Sequence, residues 1–321
     1  MGLVHLGYID LPAHAKPGGF DHAAIHRGKS RLYVAHTAND ALDVIDCARD
    51  VYLYSMPGLA GVAGALVSDE RNRVFTSNRG ENSVGIFSPD NEENIAKVSV
   101  GIRPNGLAYD PMREILLAAN VGDPAIPDSF TLSLVDVRNK RLLSSVPVPS
   151  RTRWTIWNPQ TDSFYVNIAD PAQIVVIRAA EPNRVTRVIP VPASGPHGLD
   201  LDGANRRLFC ACDGGKLVVL DITTGTILDM LDLSGVPDVI FFNPGLKHLY
   251  VAIGDPGVIE VFDTESMSRI EALPTEKGAH TIALDLDRNK VYAFLPQTHR
   301  AAFYQDGGEH SHSFVNFPKE T

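Results

Sequence analysis

Only three cysteines and two tryptophans occur in 321 residues. Three thiols cannot build the disulfide framework of a small secreted scaffold. Cys210 and Cys212 stand two apart, the spacing that turns both side chains to one face of a strand. They read as small buried side chains rather than a metal or redox pair. Basic residues are also short: 29 Lys and Arg stand against 38 Asp and Glu, a net charge of −9. That balance excludes a broad phosphate-binding surface, and with it nucleic acid as the expected partner. No apolar run approaches the roughly 18 residues of a spanning helix, so no membrane partner is expected. The opening "MGLVHLGYIDLPAHAKPGG" lacks both a basic n-region and a continuous apolar core. No signal peptide is visible, and a cytoplasmic location is expected. Glycine-rich phosphate loops, serine nucleophile elbows and spaced CxxC pairs are missing as well.

What the chain has instead is a repeat. Copies begin at His22 ("HAAIHRGKSRLYVAH"), Gly64 ("GALVSDERNRVFTSN"), Gly106, Trp154, Gly198, Val239 and Thr281. Their spacings are 42, 42, 48, 44, 41 and 42 residues. Each copy reads as an apolar stretch, Asp or Asn, a basic residue, a short strand and a small polar stop. Third strands follow ("ALDVID", "SVGIF", "LSLVDV"), and fourth strands in most copies ("AKVSVG", "LLSSVPV"). Val, Ile, Leu and Tyr enrichment between Gly, Pro, Asn and Asp punctuation is the strand signature. Four strands per unit and seven units predict an all-β, seven-bladed β-propeller spanning 1–321 as one domain. Its blades start near 21, 63, 105, 153, 197, 238 and 280. The segment "LGYIDLP" is expected to supply the last blade's fourth strand and close the ring. The C-terminal "HSFVNFP" competes for that place or adds an outer strand.

The residue before each copy forms a column: Asp21, Ala63, Asn105, Arg153, His197, Asp238 and His280. Propeller geometry places the start of every innermost strand at one mouth of the central channel. Four adjacent blades should therefore present His197, Asp238, His280 and Asp21, with Ala63 as a gap. The second-strand ends His36, Asn78, Asn120 and Asp255 should form an outer rim.

The copies "RLYVAHTANDALDVID", "RPNGLAYDP", "GPHGLDLD" and "HLYVAIGDPGVIEVFD" resemble the YVTN-type (YncE-like) β-propeller repeat family, along essentially the whole chain. The resemblance implies the propeller fold and leaves activity open, since such propellers include binding proteins, lactonase-like enzymes and metal-dependent lyases.

Two imidazoles and two carboxylates suit a divalent transition metal: Zn, Mn, Fe, Ni or Cu. The expectation is a metal-dependent hydrolase of lactones, esters or phosphotriesters, with metal ligands His197, Asp238, His280 and Asp21. Asp21 or His22 would be the general base, and Arg153 would hold a developing oxyanion. Asn105, Arg153, Trp154 and His36 would contact a small, possibly anionic substrate. A metal-dependent lyase and a non-catalytic ligand- or protein-binding propeller are the alternatives. A monomer or weak homo-oligomer is expected. Trp154 and Trp157 also read as aromatics packed between blades. His5, His14, His248, His299, His310 and His312 read as surface residues.

Overall fold

In six of the seven copies the first strand ends in a side chain that ties down the turn after it. Asp110 Oδ1 accepts from the backbone N–H groups of Met112 and Arg113 at 2.9 and 3.3 Å. Asn243 does the same for Gly245 and Leu246, and Asp285 for Asp287 and Arg288. Short polar side chains are used because they reach their own backbone two or three residues on. Each turn then closes on one left-handed residue: Ser30, Asn72, Glu114, Asp162, Arg206, Lys247 or Asn289, with φ between 48° and 60°. The repeat's Asp/Asn-basic signature is thus a hairpin device, used in five copies, with Ser68 in the same role in a sixth.

The computed structural model describes residues 2–307. These form seven four-stranded antiparallel sheets, the blades of a β-propeller. The innermost strands are β2 (Phe20–His26), β6 (Val62–Ser68), β10 (Pro104–Asp110), β14 (Thr152–Asn158), β18 (Pro196–Asp202), β22 (Val236–Asn243) and β26 (Thr281–Asp285). The seventh sheet runs β26, β27 (Lys290–Leu295), β28 (Arg300–Asp306) and then β1 (Leu3–Asp10). The N-terminal strand closes the ring as the sequence predicts, pairing from Leu3↔Asp306 to Asp10↔Arg300. The competing "HSFVNFP" segment lies outside the described residues.

Apolar clusters fill the spaces between neighbouring blades. Buried tyrosines of the "LYVA"-type strands add a polar tie across three of the seams. Tyr33 donates to Glu92, Tyr250 to Asp306 and Tyr292 to Asp50, at 2.6 to 2.7 Å. Cys210 and Cys212 are fully buried in one such cluster, as expected.

Two features of the inner strands position the mouth. Pairing to the second strand is irregular where the column residues sit, between Phe20 and Ala23, Val62 and Gly64, Pro104 and Leu107, Thr152 and Thr155, and Pro196 and Gly198. A bulge leaves a residue unpaired and re-aims its side chain. The glycine after the column residue allows the next blade to approach. A Cβ on Gly106 would stand 2.7 Å from the Arg153 carbonyl oxygen, and one on Gly198 2.3 Å from that of Asp238.

Candidate functional site

Six of the seven column residues meet at the mouth. Asp21, Asn105, Arg153, His197, Asp238 and His280 line one cavity of about 430 Å³, together with His22, Trp154, Arg79 and Arg151. Ala63, the expected gap, is fully buried away from it.

His197 is the hub. Its Nδ1 lies 2.7 Å from Asp213 Oδ1 and its Nε2 3.2 Å from Asp238 Oδ1. Burial opposes a charge on the ring, but Asp238 and Asp213 outweigh it and raise the pKa to about 9. The ring is therefore an imidazolium at neutral pH. Burial would raise both partner carboxyls, yet His197 holds each below the ordinary carboxylate range. Asp213 Oδ2 also accepts from Arg153 Nη2 at 2.9 Å, which brings Arg153 Nη1 to 3.1 Å from His197 Nε2. One carboxylate thus holds two cations side by side. His280 stands further off, its Nε2 3.9 Å from Asp238 Oδ2.

Asp21 faces the other way. It pairs with Arg79 at 3.2 Å, accepts from the His22 backbone N–H at 3.0 Å, and lies 3.4 Å from His22 Nε2. Burial lowers the pKa of His22, keeping the ring neutral at pH 7. Its ring centroid lies 4.1 Å from that of Trp154. Both residues also line a second cavity of about 420 Å³ with mainly apolar walls, including Ala65, Leu107, Ile156 and Leu201. They form the partition between the two cavities, so Trp154 serves the site as well as the packing. Trp157 packs on Phe164, with centroids 4.7 Å apart.

The same mouth holds three arginines, Arg79, Arg151 and Arg153. Arg79 and Arg153 each have a carboxylate partner, but Arg151 has no ion-pair partner within 4 Å among the described residues. Burial, with Arg153, Arg79 and Arg103 nearby, lowers the Arg151 pKa. Asn105 Oδ1 and Arg153 Nε are buried without a hydrogen-bond partner.

The rim expected from the second-strand ends is mostly wall. His36, Asn78 and Asn120 are fully buried. The second strand is paired on both sides, so its terminal side chain meets the third strand instead of solvent. Asn78 donates to Ser83, Asn120 to Thr131 and Ser133, and His36 bonds Asp43. His36 is accordingly not among the residues that line the mouth. Asp255 alone of the four is exposed, paired with Lys277 at 3.0 Å. Asp213 and Arg151 carry no signal of their own in the sequence, whereas Arg79 lies in the turn "NRGEN" (78–82), whose place between strands puts it at the mouth. Asp213 and Arg79 share a position, one residue past the end of a second strand, and by that position Asp213 could also be found.

Among the described residues, no group of three or more His, Cys, Asp or Glu side chains stands ready to hold a metal ion. At the mouth the reason is visible: both ring nitrogens of His197 are engaged, and a protonated imidazole has no lone pair to give. No helix among the described residues is long and apolar enough to cross a membrane.

No protein-family model matches the chain, and no curated protein matches it in sequence. In structure it is similar to a chain of the hydrazine synthase of Kuenenia stuttgartiensis, with a TM-score of 0.79 and 13% identity over 93% of this chain and 98% of that one. A chain of a mitotic checkpoint complex also aligns with a TM-score of 0.79, at 11% identity over 95% of this chain and 92% of that one. At such identities the likeness establishes the propeller fold and nothing about chemistry.

Proposed function

We propose that this propeller binds a small anionic molecule, through a carboxylate or phosphate group, at the mouth of its channel. The observation that carries the reading is Arg151, a cation without an ion-pair partner beside Arg153 and Arg79 in a cavity of metabolite size. Like charges held together in a partly desolvated site are relieved by an anion, and planar guanidinium groups match carboxylate and phosphate oxygens in pairs. The unpartnered Asn105 Oδ1 accepts a hydrogen bond from a ligand hydroxyl or amine. The apolar ring of Trp154 forms the floor.

The test is calorimetric titration with inorganic phosphate and with a small dicarboxylate. A single site is expected. Arg151→Ala should weaken it at least about tenfold, the worth of one charge-assisted hydrogen bond. Binding that is absent for both anions, or unchanged in the variant, would overturn the proposal.

Metal-dependent hydrolysis is the second reading, favoured by His197, Asp238, His280 and Asp21 sharing the cavity. As arranged, the donors do not fit a dication: His197 would have to lose its proton and Arg153 would have to leave. Elemental analysis of wild type and His280→Ala decides this. Stoichiometric metal lost in the variant restores the reading, and metal unaffected by the variant removes it.

A further inference from the structure

The second cavity, beyond the partition of His22 and Trp154, holds a carboxylate without a counter-charge. All seven inner strands supply its walls, from Ile25 and Leu66 round to Phe241 and Leu284. It is therefore part of the central channel itself. It extends to Ser68, the last residue of β6, and to Pro111, just past the end of β10, so it reaches towards the face opposite the mouth. No Lys or Arg lines it, and Asp200 is its one carboxylate.

Asp200 stands on β18 and leans on the next blade. Its Oδ2 accepts from the Phe242 N–H at 2.7 Å and its Oδ1 from the Leu201 N–H at 2.8 Å. Neither bond brings a charge, and no side-chain cation pairs with it among the described residues. Burial raises its pKa to about 6, and the two backbone donors offset only part of that. An ionised carboxylate in an apolar channel is costly unless a cation joins it. Each of its oxygens keeps a lone pair for a further donor. Two more polar atoms of the walls, Tyr109 Oη and Thr155 Oγ1, are buried without a hydrogen-bond partner. Such orphans are rare in native structures and call for an explanation. Trp154 meets Phe241 edge to face, with ring centroids 6.2 Å apart, and Trp157 is a third aromatic of the lining. Aromatic rings pack against apolar groups and attract ammonium ions to their faces.

We propose that the channel cavity binds a primary ammonium ion with an aromatic body, its nitrogen on Asp200 and its ring among Trp154, Trp157 and Phe241. The volume of about 420 Å³ lies in the range usual for small-molecule pockets. The ammonium supplies both the missing charge and the missing donors, and the hydroxyls of Tyr109 and Thr155 are left for a polar substituent on the body. This site is separate from the anion site. The two ligands carry opposite charge and lie on opposite sides of the partition made by His22 and Trp154.

The test is calorimetric titration of the full chain with phenethylammonium chloride at neutral pH. A single site is expected. Phenylethyl alcohol, the same shape without the charge, should bind at least about tenfold more weakly, and so should phenethylammonium to Asp200→Asn. In Trp154→Phe, where Trp157 is the remaining tryptophan, phenethylammonium should change the fluorescence. Absence of binding, or equal affinity for the amine and the alcohol, overturns the proposal in the wild type alone. Unchanged fluorescence in Trp154→Phe puts the ligand outside the channel and overturns it too. Binding that survives Asp200→Asn and is lost in Asp238→Asn assigns the cation to the mouth and overturns it equally.

Discussion

At pH 7 the imidazole of His197 is a cation because Asp213 and Asp238 outweigh the cost of burying it. A folded pKa of about 9 lies above the ordinary 6.5. The stability this gives is complete below about pH 6.5 and is lost as pH rises through about 9. The difference is on the order of 3 kcal/mol. Asp213 and Asp238 work in the opposite sense: their lowered pKa values stabilise the fold above about pH 4, and that contribution fades as pH falls. Urea titrations at pH 6 and pH 9.5 should therefore show a loss of stability in the wild type that shrinks in Asp213→Asn. Equal losses in both proteins would mean that the charge on His197 is not held as described. The thiols give a second residue-scale expectation. Burial pushes Cys47 up to about 12, and Cys210 is raised by its contact with Cys212 and by burial. All three should resist thiol reagents until the protein unfolds. Reaction in the native state would show that the clusters around them open.

At the scale of the element, the closing strand and the inner-strand glycines are the parts to perturb. In β1, Leu3 and Ile9 are buried, while Val4, Leu6 and Tyr8 are exposed. Ile9→Ala should cost about 2–5 kcal/mol in urea denaturation and Leu6→Ala within about 0.5 kcal/mol. Similar costs at the two positions would mean that β1 does not seal the ring as paired. Gly198→Ala drives a methyl carbon against the Asp238 carbonyl of the next blade. It should cost about 1–3 kcal/mol and disturb the His197–Asp238 contact. A wild-type His197 titration curve in that variant would show that the close approach does not govern the site. The turn elements were legible in sequence because their signal is local: Asp110, Asn243 and Asp285 bond backbone atoms two and three residues ahead. The ends of the second strands were not. Whether His36 faces solvent depends on the third strand beside it, and that pairing is a contact between elements.

On the scale of the whole molecule, two cavities share a partition made of His22 and Trp154. Trp154 should thus report on ligands in the mouth, whereas Trp157, packed on Phe164, should not. With Trp157→Phe, leaving one tryptophan, anion titration should change the fluorescence. With Trp154→Phe it should not, and a response there would place the anion elsewhere. The sequence by itself determined the seven-fold repeat, the hairpin turns, the closing role of the N-terminal strand and the column that lines the mouth. Each of these follows from periodicity or from bonds between near neighbours in the chain. Only the tertiary structure decided what the column does. Asp213, Arg79 and Arg151 reach the mouth from loops of different blades and turn a set of possible metal donors into a salt-bridged hub in a mouth that holds three arginines. The walls of the second cavity, drawn from seven inner strands scattered along the chain, meet only because the ring closes. Charge balance and ligand geometry depend on distances across blades, and a sequence pattern carries no information on those until the ring is closed.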